Sequence, residues 1–543
     1  MAESPTRQVR GTRTQISFPK TPDEQIQDNY SPPQRERQST TEVPLEDSTI
    51  EEMQGHAEEK SVSTAQAVLI ILSLAGISVS SSMSTGLFTI GIPVISADIG
   101  LAENLQLWPV SVCSLSSCCT LLLAGSLADL LGNRIMNLLG GCLLGFCILA
   151  SGLSKTGTQL IVFRAIQGLA ISMVFPTSFS ILTQAFPNGR LRNIAFSCTG
   201  LAQPFGWAIG LFVAGVFQAS SLGWRFGFYL CAGTTMTLSA ISCWKLPRDR
   251  PREPVSWARL STGIDWIGAL LASISLGLLS YELSVVTGNL SSIRDGQNVA
   301  FLCIACAMAP TFVYWMHRQE KQGRPVLIPN SIWRNVAFAT MCIMVLLSWA
   351  VMNSMELFLS LFFQQVQELS AIETSMRFLP NVLVAIFLNL STGLLVHRFR
   401  ADYMVLFTTI TCTVAPLLMA VINPQWPFWE CAIFVVILHP LSADVIFTIA
   451  NLIITDVFPA NMQALAGAVF NTVAQAGTSI GIGVTAMISA GVIKSPSSSL
   501  KNAPEALMAG YRAVFWTCFA TLFLSCFCTM GLRGVGRVGL KRE

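Results

Sequence analysis

An all-α polytopic membrane protein with fourteen transmembrane helices is predicted by three features of this chain. Roughly fourteen apolar stretches of about twenty residues each run from Ala65 to about Cys528. Charged residues make up 12% of the chain and hydrophobic residues 52%, whereas an average soluble protein carries roughly 25% charged residues. A hydrocarbon core about 30 Å thick takes roughly 20 helical residues to cross, and only helices or closed barrels satisfy their backbone polar groups inside it. The stretches are too long and too apolar for barrel strands.

Residues 1–63 are rich in Ser, Thr, Pro, Gln and Glu and have almost no apolar periodicity, which predicts a disordered cytoplasmic tail. The tail has no apolar h-region, so it does not read as a cleaved secretory signal, and the first span acts as an uncleaved anchor. Spans are predicted near 65–86, 105–124, 135–153, 158–180, 194–216, 225–243, 264–285, 298–316, 336–363, 374–396, 403–422, 429–455, 463–491 and 511–530. An even number places both termini on one side of the membrane. Most of the 33 Lys and Arg fall in the tail and in the loops on that side, so the positive-inside rule makes both termini cytoplasmic. The basic segment 245–262, with Lys245, Arg248, Arg250, Arg252 and Arg259, divides six spans from eight. The domains read as a tail (1–63), a six-helix bundle (64–244), the basic linker (245–262), two extra helices with their loop (263–330), a second six-helix bundle (331–532) and a short cytoplasmic tail (533–543).

The 16 cysteines lie in or beside apolar spans without zinc-site spacing, and they read as small packing residues. The net charge of +3 suits loops near anionic lipid and implies no nucleic-acid partner. A primary pump needs a phosphate-binding Gly-x4-Gly-Lys-[Ser/Thr] loop, which is absent from the sequence. The 4 histidines (His56, His317, His397, His439) are scattered, and only His439 lies well inside a span. No enzyme activity, metal or cofactor is therefore expected. A voltage-gated channel would need a helix with repeated Arg.

Charged residues at the bilayer centre cost about 2.5–3.5 kcal/mol each on insertion scales, so each needs a reason. Arg164, in the fourth span, should face the bundle interior and pair with a carboxylate, a backbone carbonyl or a substrate oxygen; the alternative is a structural Arg tied to the interface. Gln167 follows at i+3 on the same face. Asp444 is placed deep in the twelfth span, with Asn451 two turns on along the same face. A desolvated carboxylate can exchange a proton, while the competing reading is an Asp satisfied by neighbouring helix donors. Glu356 is the other candidate carboxylate, unless it lies solvated at the outer interface. Glu282 is expected to mark an outer boundary, and Asp265 and Glu430 to open their spans as N-terminal acids. Asn289-Leu-Ser291 is a glycosylation sequon in an outer loop.

A weak internal echo, Gly125–Gly132 after the second span and Gly393–Arg400 after the tenth, is consistent with duplicated halves. Gly125-Ser-Leu-Ala-Asp129-Leu-Leu-Gly132-Asn-Arg134 resembles the loop signature of the major facilitator superfamily. Arg164-Ala-Ile-Gln167-Gly168 resembles its intramembrane Arg motif, and Gly200-Leu-Ala-Gln-Pro204-Phe-Gly206 with Gly210 resembles the fifth-span motif of its proton antiporters. Arg377-Phe-Leu-Pro380, Asn471-Thr-Val-Ala-Gln475-Ala-Gly477, the segment from Phe186 to Ala195 and that from Asp444 to Asn451 are similar to the fungal branch of its fourteen-span drug:proton antiporters. The chain departs from that pattern at Leu130 and Asn133, where basic residues are usual, and at Gln203, where Gly is usual. It also lacks a carboxylate near Thr85–Pro93.

The resemblance implies two six-helix bundles joined by an extra helix pair, working by alternating access. It implies that Asp129, Arg134, Gly125 and Gly132 form a conformational-switch loop and that Pro204, Gly206 and Gly210 make a bendable, closely packed helix. The function it implies is efflux of amphipathic small organic compounds (drugs, toxins or secondary metabolites) in exchange for protons. The partners are then a small organic substrate, protons and membrane lipid, with the chain acting as a monomer in the plasma membrane or the vacuolar membrane. A nutrient or vacuolar carrier and a non-transporting solute sensor are the alternatives.

Overall fold

Buried hydroxyls and prolines, as much as hydropathy, decide where the helices of this chain continue and where they break. The computed structural model describes residues 63–101, 105–186, 190–247, 249, 261, 263–288, 294–395, 398–458, 460–494 and 503–532. Asn289, nearly all of the predicted tail and most of the basic linker lie outside the described residues, as does the terminal segment 533–543. The fold is all-α. Among the described residues 13 helices are long and apolar enough to cross a bilayer, and a shorter apolar segment, Trp266–Leu279, marks a fourteenth pass.

The first six helices are α1 (Thr64–Asp98), α2 (Trp108–Leu131), α3 (Asn133–Leu153), α4 (Gly157–Ala185), α5 (Arg190–Ala219) and α6 (Trp224–Lys245). The predicted end of the first span near residue 86 is too early, since α1 continues to Asp98. Polar Ser78, Ser80, Ser82 and Ser84 lower the local hydropathy, but all four are buried. Ser78 Oγ donates back to the Leu74 carbonyl at 3.2 Å, so the helix carries its own polar groups through the dip. Asp98 then holds the start of α6, accepting from Arg225 Nη2 at 2.8 Å and Trp224 Nε1 at 3.2 Å.

Helices α7 (Trp266–Gly288) and α8 (Gly296–Lys321) form a hairpin. Asp265, buried just before α7, accepts from Gly268 N and from Trp315 Nε1 of α8, each at 2.9 Å. That bond fits its expected place at a span opening and also clasps the hairpin. Glu282, expected at an outer boundary, is buried within the protein at 4% exposure.

The remaining helices are α9 (Val336–Leu361), α10 (Ala371–Arg377), α11 (Leu379–Leu395), α12 (Ala401–Val421), α13 (Ala432–Leu438), α14 (Leu441–Val457), α15 (Ala460–Ile493) and α16 (Ala503–Cys528). Two predicted spans are broken. The run 374–396 divides at Phe378, with Pro380 in the first turn of α11, where a missing N–H costs nothing. The run 429–455 divides at His439-Pro440, because Pro440 cannot donate into the helix. Asp444 is therefore in the first turn of α14 and not deep in an unbroken helix.

Helix α1 packs along α5, α2 along α4 and α3 along α6; α9 packs along α15, α11 along α14 and α12 along α16. The two sets correspond position for position. They meet through α2 against α15, α5 against α10 and α11, and α1 against α9, while α7 lies beside both α2 and α15. The corresponding pairs α1–α5 and α9–α15 are both built on small residues. A Cβ at Gly206 would collide with the Val79 carbonyl, and one at Gly210 with the Met83 carbonyl. Gly477 and Gly481 approach Leu346 and Ala350 of α9 in the same way, which is how helices associate closely where apolar burial offers little drive.

Candidate functional site

Between the two sets of helices lies a cavity of about 220 Å³ that extends toward the end of the bundle where α1 begins. Arg164 reaches it from α4 and is only 1% exposed. Its Nε donates to the Pro109 carbonyl at 2.9 Å, and its Nη1 to Gln167 Oε1 at 2.9 Å and to Ser84 Oγ at 3.4 Å. Gln167 Nε2 donates to the same Ser84 Oγ at 3.0 Å. The guanidinium also sits 4.3 Å from the centre of the Phe88 ring. The buried cation is thus held by a carbonyl, an amide, a hydroxyl and a π face. Of the partners open to it on sequence grounds, the structure gives it a backbone carbonyl and no carboxylate among the described residues.

The facing wall carries the opposite chemistry. Glu356 (α9) and Asp444 (α14) both line the cavity. Glu356 is buried and not solvated at an interface. His439, 2% exposed at the break before α14, has its Nε2 3.8 Å from Glu356 Oε1. The Asn381 amide of α11 lies 3.0 Å from His439 Nδ1 and donates at 3.5 Å to the Val436 carbonyl, which Pro440 cannot serve, while Cys412 Sγ of α12 donates to the His439 carbonyl. Asp444 and Asn389 line the cavity together, and Asp444 Oδ2 is buried with no partner among the described residues. A buried carboxylate oxygen left without a donor is costly while charged. Around these groups the cavity is lined by Phe175, Trp207, Trp349 and Phe447, with Trp349 and Phe447 paired at 5.5 Å.

Beyond this cavity the two sets of helices are joined on the side where α1 ends. Ser111 Oγ donates to the Ser479 carbonyl at 3.2 Å, Ser360 Oγ to the Thr89 carbonyl at 2.8 Å, and Ser375 Oγ to the Leu211 carbonyl at 2.7 Å. Trp207 meets Phe378 edge to face at 5.6 Å.

Arg164, Glu356 and Asp444 are therefore brought to one cavity, and Gln167 stands behind Arg164 as its partner. Asn451 is not brought there: it is exposed, and its amide donates to the Phe447 carbonyl at 2.8 Å. It shares Asp444's face of the helix but lies about 10 Å farther along the axis, past the lining residues. Pro204 lines the cavity, and Gly206 and Gly210 turn to α1. In the loop motif, Gly132 has φ +110° and lies under the Asp249 carboxylate, whereas Gly125 faces open space and makes no close approach. Asp129 is exposed in the last turn of α2. Arg134 donates from its backbone N to both Asp249 oxygens at 3.2 Å and from Nη2 to the Cys243 carbonyl at 2.7 Å. Sequence reasoning missed His439, Asn381 and Asn389 as site residues. The signal available for His439 was its place inside a span, next to a proline.

The profile of the Major Facilitator Superfamily matches residues 74–482. MFS-type transporter 1 of Pyricularia oryzae is 38% identical over 534 residues, covering 89% of this chain and 86% of that protein. The methylenomycin A resistance protein of Bacillus subtilis is 28% identical over 443 residues, covering 80% of this chain and 90% of its own length. Among solved structures, a bacterial homologue of the human lysosomal transporter Spinster superposes with a TM-score of 0.60 at 14% identity, covering 87% of this chain and 98% of that one. That likeness extends to the fold.

Proposed function

Because this chain belongs to the Major Facilitator Superfamily, whose members carry solutes across membranes, we propose that it exports amphipathic small organic compounds in exchange for protons. The observation that carries the reading is the pair Glu356 and Asp444 facing one cavity between the two sets of helices, with Asp444 Oδ2 unpartnered. A carboxylate that takes a proton when enclosed and gives it up when solvated or when substrate arrives can link the two fluxes. Arg164, held through Nε and Nη1 by neutral partners, is a fixed cation on the opposite wall and holds the α1, α2 and α4 segments around it in one arrangement.

Alternating access then consists of breaking the Ser111–Ser479 and Ser360–Thr89 contacts while the end near α2 and α3 closes. Asp129, Gly132 and Arg134 act at that second end as the switch loop. The tightly packed α1–α5 and α9–α15 pairs move as units, since their backbones are in contact. The aromatic lining favours substrates with an apolar body. Export is the direction supported by the resistance named for the Bacillus subtilis relative, with both termini cytoplasmic and the plasma membrane as the site of action. Accumulation of labelled amphipathic compounds in pump-deficient yeast, with and without a protonophore, tests the proposal. Expression should lower accumulation and the protonophore should restore it; unchanged accumulation with the protein at the cell surface would overturn export.

A further inference from the structure

Side-chain amides line the central cavity, and the asparagines among them are turned back on the protein. Asn353, Asn389 and Asn471 each donate from Nδ2 to the carbonyl one turn earlier in their own helix, at 3.0, 2.9 and 2.8 Å. Asn381 donates to the Val436 carbonyl at 3.5 Å and lies against His439. The two glutamines do otherwise. Gln203 of α5 accepts from Ser82 Oγ at 3.0 Å, and its Nε2 has no partner among the described residues. Gln475 of α15 makes no hydrogen bond with any described residue.

The difference is one of reach. An asparagine side chain is short enough to bond the carbonyl one turn back, while the extra methylene of glutamine carries its amide away from the backbone. Both glutamines stay open to the cavity: Gln203 is exposed and Gln475 half-buried, and both line it. An amide without a partner inside a bundle is costly unless water or a ligand meets it. The two helices belong to different sets, α5 to the first and α15 to the second. Gln203, fixed through Oε1, presents a donor. Gln475 presents a donor and an acceptor, and Asn471, one turn earlier on the same face, adds its Oδ1 as a second acceptor. The ionisable groups are otherwise engaged: Arg164 by its neutral partners, Glu356 beside His439, and Asp444 as the carboxylate assigned to the proton.

We infer that the transported compound carries an uncharged carboxamide head, which accepts from Gln203 Nε2 and pairs with Gln475 and Asn471, while its apolar body lies on the Trp349–Phe447 pair. A carboxamide has the acceptor that Gln203 calls for and the N–H that Gln475 Oε1 and Asn471 Oδ1 call for. A carboxylate lacks the donor and is repelled by Glu356 and Asp444. An ammonium lacks the acceptor that meets Gln203, and it competes with the proton for the carboxylates. As a statement about cargo the inference rests on the export reading, so its test reads binding on the protein without transport.

The full-length chain in phosphatidylcholine nanodiscs is dialysed to equilibrium against tritiated 1-naphthaleneacetamide, and saturable binding is expected. 1-Naphthaleneacetic acid, 1-naphthylmethylamine and the N,N-dimethyl amide should each displace the probe at least about fivefold less well than the unlabelled amide, the scale of one lost hydrogen bond. Gln203→Leu and Gln475→Leu should each weaken probe binding by about the same factor. In Gln475→Leu the dimethyl amide should lose less than the primary amide, since an acceptor for the N–H is gone. A merely structural role would not produce that split. Wild type alone decides the matter should a variant fail to fold: primary and dimethyl amides binding equally, or the amine displacing the probe best, would overturn the head assignment. Absence of saturable binding, or binding unchanged in both leucine variants, would overturn it too. The expected preferences without export in cells would overturn the export reading and leave the site, whereas export with the amine preferred would do the reverse.

Discussion

His439 Nε2 stands 3.8 Å from Glu356 Oε1, across the contact between α9 and the break that separates α13 from α14. His439 and Pro440 keep helical dihedrals, but Pro440 has no N–H for the Val436 carbonyl, and the His439 ring sits against that carbonyl, 3.3 Å from Nδ1, while also facing α9 and α11. Asn381 then fixes the ring through Nδ1 at 3.0 Å. Asp444, one turn into α14, takes its place on the same wall of the cavity. Three protonatable side chains from two segments thus stand together at the central cavity.

Asp444→Asn and Glu356→Gln keep size and hydrogen bonding while removing the charge. Each is expected to cut proton-driven export at least about tenfold, the scale of one lost charged interaction. In wild-type vesicles, acidifying the side from which protons enter should speed export, since protons are the driving partner. In Asp444→Asn that acceleration should vanish while substrate–substrate exchange persists. Acceleration retained in both variants would remove the carboxylates from the coupling step.

Arg164 is bound in a way lysine cannot copy. Its Nε and Nη1 reach Pro109, Gln167 and Ser84 from one planar group stacked on Phe88, whereas an ammonium offers a point charge. Arg164→Lys should cost about 1.5–3 kcal/mol, the worth of one charged hydrogen bond. Arg164→Ala should cost more, because the Pro109 carbonyl and Gln167 Oε1 are left buried without a donor. Thermal unfolding of the purified chain measures both. Equal midpoints for wild type and Arg164→Ala would show that this network does not stabilise the fold.

Much of this architecture is legible in the sequence, because a bilayer imposes a length and a composition that an apolar run either meets or fails. Arg164 stands out for the same reason: it is a charge where the surroundings forbid one. The breaks at Phe378 and Pro440 are harder to read, since the apolar runs continue across them and hydropathy is blind to a missing N–H. Asn451 shows the limit of face-matching. Spacing i+7 fixes the angle around a helix but not whether a cavity reaches that depth. Asn381 and Asn389 come from α11 and His439 from the break before α14, and only the packing of these segments beside α9 brings them to one wall.

The glycines of α5 provide an internal contrast with Gly125. A methyl at Gly210 meets the Met83 carbonyl and at Gly206 the Val79 carbonyl, both rigid backbone. Gly206→Ala and Gly210→Ala should therefore separate α1 from α5 and lower folded yield severalfold in detergent. Gly125→Ala meets open space within α2, so it should be neutral or stabilise by about 0.5–1 kcal/mol through helix propensity alone. Monodispersity on size exclusion reads all three, and a loss at Gly125 equal to that at Gly210 would contradict the packing.

Asp249 is a long-range cap on α3. Both of its oxygens lie 3.2 Å from the Arg134 backbone N–H, in the first turn of the helix, where exposed amides and the helix dipole favour an anion. Gly132 makes the approach possible, since its φ of +110° turns the chain and the Asp249 carboxylate occupies the space a side chain would need. Asp249, after α6, is thereby tied to the turn between α2 and α3, and Arg134 adds a second tie to the end of α6 at Cys243. Asp249→Ala should cost about 1 kcal/mol, the usual worth of such a cap, and should free the loop. Gly132→Ala should do the same and add backbone strain. Hydrogen exchange over residues 133–136 gives the readout: faster exchange in Asp249→Ala, slower exchange restored by Asp249→Asn through its amide oxygen. Unchanged exchange in Asp249→Ala would show that the linker does not hold the loop.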